Sequence, residues 1–210
     1  MGDEEYPRPA RIDAFAYIPG TLNASLVGRE GRQDWFAYAD GYRRAARLIA
    51  EFVLQDPSEH DLLVYPGVFL YRHYLELRLK EIVVRGRWVA ELPAVDVTAY
   101  NHNLAVAWRD AKETLLRLFP PGALESEYYK AIDVLIEQFA AIDPDSAAFR
   151  YPVKNKKKGG GPSLPDLEYM HVGQLATAVE QIADFLDGSV MAIEERREGE
   201  LEARAEWHDE

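Results

Sequence analysis

The chain has 210 residues, 48% hydrophobic and 11% aromatic, with 36 acidic against 24 basic side chains and a net charge of −12. That apolar share is enough to bury a core and excludes global disorder, while the absence of cysteine excludes disulfides, zinc–thiolate centres and thiol catalysis. No basic-then-apolar leader opens the chain, and no apolar run approaches the ~20 residues of a membrane span, so a cytoplasmic protein without membrane contact is expected.

Residues 1–31 hold Pro7, Pro9 and Pro19 without a helical period and read as an N-terminal arm. From Gln33 onward Trp35, Tyr38, Tyr42, Ala45 or Ala46, Ile49 and Val53 recur at three and four, which predicts a first helix over roughly 33–55. Asp56-Pro57-Ser58 ends it. A second helix is predicted over roughly 67–87, from Pro66-Gly67 to Arg85-Gly86-Arg87. Asn101 or Asn103 caps a third over roughly 103–119, with the stripe Leu104, Trp108, Ala111, Leu115 and Leu118. The fourth, roughly 125–142, buries Tyr128 or Tyr129, Ile132, Leu135, Ile136 and Phe139 and breaks at Asp143-Pro144. An irregular segment follows, with a short extended piece at Phe149-Arg150-Tyr151. The fifth helix, roughly 167–197, carries Leu175, Val179, Ile182, Leu186, Val190 and Ile193. No two-residue alternation is sustained and no repeat is present, so the fold class expected is all-α: a five-helix up-and-down bundle over 32–197. Residues 198–210 read as an acidic C-terminal tail, and the acids of residues 1–5 and 194–210 account for much of the net charge.

The second helix carries the most information. On a helical wheel Arg72, His73, Glu76 and Lys80 share an arc of about 100°. Val68, Tyr71, Leu75, Leu79 and Ile82 lie on one side of it, and Leu70, Leu77 and Val84 on the other. Arg78 and Glu81 fall on the remaining face, expected to be wet. Two apolar stripes with charges between them describe a central helix whose charged arc is at least partly enclosed, the alternative being a surface ladder of the i,i+4 pairs Arg72–Glu76 and Glu76–Lys80. Enclosed charges must satisfy one another or a ligand, because an unpaired buried charge costs several kcal/mol. The histidines at 60, 73, 102 and 171 show no ligand spacing, so no metal is expected, and no phosphate-loop, dinucleotide or serine-nucleophile motif is present. Lys154 to Gly161 joins four lysines to three glycines and reads as a mobile surface loop or a phosphate contact. Asp143 to Pro152 mixes polar side chains with Phe149 and either staples its own loop or brings Arg150 beside the charged arc.

The aromatic first helix, the run Arg72-His73-x-x-Glu76-Leu-x-Leu-Lys80, the Asn101-His102-Asn-Leu104 opening of the third helix and the Asp143 to Pro152 segment together resemble the HEPN group of helical bundles (higher eukaryotes and prokaryotes nucleotide-binding). The resemblance spans roughly residues 33–193. It implies a homodimer that binds a nucleotide or RNA in a toxin–antitoxin or phage-defence setting, with an antitoxin or other protein partner. Nuclease members carry an arginine and a histidine separated by four to six residues, and no histidine of this chain has that arginine. A non-nuclease binding module is therefore expected, without a cofactor, whose ligand site comprises Arg72, His73, Lys80, His102 and Arg150, with Glu76 orienting the donors. The rivals are a divergent ribonuclease using His73 or His102 as acid and base, and an interaction bundle whose charged arc is structural.

Overall fold

Asp34 accepts a hydrogen bond from the Ala37 amide at 2.8 Å and starts helix α1, Trp35–Gln55, in a computed structural model that describes residues 34–120 and 122–208. The arm expected over 1–31 lies outside the described residues. Four further helices follow: α2 (His60–Val89), α3 (Leu104–Leu118), α4 (Ala123–Ile142) and α5 (Val172–His208). Among the described residues the fold is an all-α bundle, and the sole strand-like pairing is an isolated antiparallel bridge between Val153 and Pro162. No helix among them is long and apolar enough to cross a membrane.

The hub is α2, which packs against α1, α3 and α5, while α4 closes the bundle against α3 and α5. The first of its apolar stripes, Val68, Tyr71, Leu75, Leu79 and Ile82, is completely buried. The second is not: Leu70 and Leu77 are half-buried and Val84 is exposed. At Gly86 the neighbours come so near that an added Cβ would sit 2.6 Å from Thr114 Cγ2 on α3 and 3.1 Å from Ile193 Cδ1 on α5. The α3 stripe is buried as read from its spacing, and Asn103 is the residue that caps it, accepting from the Val106 amide at 3.2 Å.

Several expectations are corrected. Arg78 and Glu81 are not on a wet face: both are buried, because α5 covers that side of α2 with Asp187 2.7 Å from Arg78 Nε and Glu194 2.8 Å from Arg85 Nη1. Helix α2 starts at His60 and not at Pro66-Gly67. Pro66 lies on its exposed side, where water can satisfy the carbonyl the ring leaves unbonded. Tyr38 is exposed, and the inward stripe of α1 is Ala39, Ala46, Ala50 and Val53. Phe149 and Arg150 form a turn, closed by the Arg150 and Tyr151 amides on the Ala147 carbonyl, and are not extended. Helix α5 starts late, where the His171 carbonyl accepts from Gln174 and Leu175. It also continues to His208 through a stretch rich in Glu, Ala and Arg, whose propensity sustains a helix.

Candidate functional site

The charged arc of α2 is enclosed, and most of its groups answer one another. Arg72 is fully buried. Its Nε donates to the Asp143 carbonyl at 3.2 Å and faces Asp143 Oδ2 at the same distance as a charge contact without hydrogen-bond alignment. One terminal nitrogen donates to the His102 carbonyl at 2.8 Å and the other reaches Glu76 Oε2 at 3.4 Å. Glu76 also accepts from Lys80 at 2.8 Å and meets His102 Nδ1 at 2.9 Å. Asp143 in turn accepts from the Ala148 amide at 2.8 Å. One buried arginine thus ties α2 to the turn before α3 and to the segment after α4.

Burial sets the electrostatics here. It disfavours the charge of Arg72 and lowers its pKa, with Asp143 and Glu76 opposing. Burial alone would raise the Glu76 carboxyl, yet the bond from Lys80 and the charges of Lys80, His102 and Arg72 hold it below its usual range. His73 is pulled below 6.5 by burial first, against the pull of Glu76. Its ring stacks on Phe69 at 5.6 Å and meets Tyr42 edge-on at 4.4 Å, and its Nδ1 is 4.0 Å from Glu76. His102 keeps half of its side chain in solvent, on a backbone where Asn101 and His102 take φ of 49° and 64°. Two successive left-handed residues other than glycine are uncommon and concentrate at functional sites and tight turns.

Five of the six residues singled out in the sequence, Arg72, His73, Glu76, Lys80 and His102, therefore converge, and Arg150 stands apart. The Arg150 Nε donates to the Ser146 carbonyl, and the guanidinium lies 5.4 Å from the Phe69 ring centre and 5.6 Å from that of Tyr151. Its terminal nitrogens have no partner among the described residues. Arg150 lines a cavity of about 810 Å³ between the start of α2, the turn at 148–152 and the approach to α5. Tyr65, Tyr151 and Tyr169 put largely exposed rings on its wall, His60 and His171 flank them, and Asp61 and Glu168 add carboxylates. Neither this cavity nor its neighbour at the end of α4 is lined by Arg72, Glu76 or His102.

Sequence reasoning missed two features. One is a second ionic seam, in which Arg43 of α1 meets Glu180, Asp184 and Asp187 of α5 at 2.6–2.8 Å, continued by Arg78, Glu81, Arg85 and Glu194. The spacing of Glu180, Asp184 and Asp187 on one helix face was its visible signal. The other is the cavity wall at Tyr65, Ser163 and Tyr169, which depends on how an irregular segment closes and has no periodic signal. In comparisons with protein-family models, curated proteins and solved structures, no match to this chain was found.

Proposed function

We propose that the protein is a non-nuclease, HEPN-like binding module that holds a nucleotide in the cavity beneath Arg150. The observation that carries this reading is the pairing, on one wall, of three exposed tyrosine rings with an arginine whose terminal nitrogens are unused. Rings of this kind stack on a base, and a guanidinium meets phosphate through two parallel donors. A cavity of about 810 Å³ lies within the range that small ligands occupy. Charge decides between the two ligands the resemblance implies. Asp61 and Glu168 line the cavity with Arg150, so a polyanion with one charge per nucleotide is repelled there more than a single nucleotide is. Carboxylates on the wall suit the amino groups of a base.

The test is calorimetric titration with adenosine monophosphate. Arg150→Ala should abolish binding and shift stability by no more than about 0.5 kcal/mol, as expected for an exposed side chain. Unchanged binding in that variant would reject the reading. The ribonuclease reading retains one favourable observation: His102 is half exposed, with Nδ1 held by the buried Glu76 carboxylate, an arrangement that suits a general base. Purified protein is expected to leave single-stranded RNA intact. Cleavage that disappears in His102→Ala would promote the enzyme.

A further inference from the structure

We infer that the nucleotide site is one half of a longer one, and that its ligand is a dinucleotide: two ring systems joined by one or two phosphates. This rests on the nucleotide reading above. A second cavity of about 970 Å³ lies on the other side of a shared wall formed by Ala148, Tyr151, Ser163, Leu164 and Leu167. Each cavity alone has room for a base with its sugar. The two differ in character: the first is edged by tyrosines, while the second is lined by Ile142, Pro144, Val153 and Pro165, which hold a flat ring by contact alone.

The shared wall has the donors a bridging phosphate needs. Arg150 borders it on one side and Lys154 on the other. Ser163 is 7% exposed and lines both cavities, and its hydroxyl makes no hydrogen bond among the described residues. A hydroxyl that makes no such bond is free to donate to a ligand oxygen. The wall is also preformed. The Lys154 amide donates to the Gly161 carbonyl at 2.9 Å and the Ser163 amide to the Pro152 carbonyl at 3.1 Å, so the hairpin beneath it closes without a ligand. Charge limits the number of phosphates, because Asp145 and Asp166 line the second cavity as Asp61 and Glu168 line the first. Two rings with a short, weakly charged bridge satisfy both cavities and the wall. A longer strand would bring more charge than Arg150 and Lys154 offset.

The experiment compares adenosine monophosphate with the linear dinucleotide ApA by isothermal titration on the full chain. ApA should bind about tenfold tighter or better, a gain of about 1.4 kcal/mol. Ile142→Trp and Val153→Trp, at exposed positions lining only the second cavity, should reduce ApA to the affinity of the monophosphate and leave the monophosphate unchanged. Ser163→Ala should weaken ApA more than the monophosphate. Equal affinities for the two ligands in the unaltered protein would overturn the dinucleotide inference and leave the nucleotide site standing. Binding of neither ligand would remove both. A hexanucleotide binding tenfold more tightly than ApA would overturn the inference in favour of single-stranded RNA.

Discussion

At Arg72 a guanidinium gives up all contact with water and receives two carboxylates and two main-chain carbonyls in exchange. Removing it would leave Asp143 buried with only the Ala148 amide and deprive the His102 carbonyl of its donor. Arg72→Ala should therefore lower the unfolding free energy by about 3–5 kcal/mol in urea titration, the usual cost of orphaning a buried charge. A loss below about 1 kcal/mol would show that the network is dispensable. His73 makes a second prediction at this scale. Its pKa is lower in the folded protein than its ordinary 6.5, through burial above all, so below that pH the unfolded chain binds the extra proton. Stability should fall as pH drops from 7 through 6, and His73→Phe should flatten that fall when denaturation is compared at pH 7.5 and 5.5. Glu76, Asp110 and Asp133 are also depressed, but they act in the lower, carboxylate range, and Glu81, raised by burial, acts there with the opposite sign. The arc itself was legible in the sequence because a wheel needs only the helical period. That Asp143 answers Arg72 was not, since an irregular segment gives no register from which to deduce a partner.

The helices divide into those fixed by one stripe and the one fixed on every side. For α3 the spacing of Leu104, Trp108, Ala111, Leu115 and Leu118 was sufficient, and all five are buried. For α2 the same wheel assigned Arg78 and Glu81 to water, because no intrahelical pattern tells whether a charged face meets solvent or an oppositely charged helix. Only the acids of α5, more than a hundred residues later, decide it. Gly86 shows what that crowding demands. Gly86→Ala would improve helix propensity in isolation, yet the methyl collides with Thr114 and Ile193, so the substitution should destabilise by about 1–3 kcal/mol. Combining it with Thr114→Ser removes the nearer obstacle and should restore part of the loss in thermal melts. Failure of that rescue would locate the strain on the α5 side.

At the scale of the molecule, the described bundle is held by a shared apolar core and two ionic seams, while both cavities lie along the one long irregular connection, between α4 and α5. That connection carries a hairpin whose tip exposes Lys154, Lys156 and Lys157 and then turns through Gly159, Gly160 and Gly161, all three with positive φ. A protease that cuts after lysine would find its preferred residue on an accessible and deformable backbone, in a chain whose other lysines mostly sit on helices. A lysine-specific endoproteinase at low dose should nick the protein there first and release a C-terminal piece of about 6 kDa on a denaturing gel. The piece should nevertheless stay in place under native conditions, since Ile182, Leu186 and the Arg43 ion pairs hold α5 to the rest independently of the severed peptide bond. The hairpin is thus a natural point of division, and two fragments that meet there are expected to reassemble when co-expressed, with the cavity wall rebuilt only when they do.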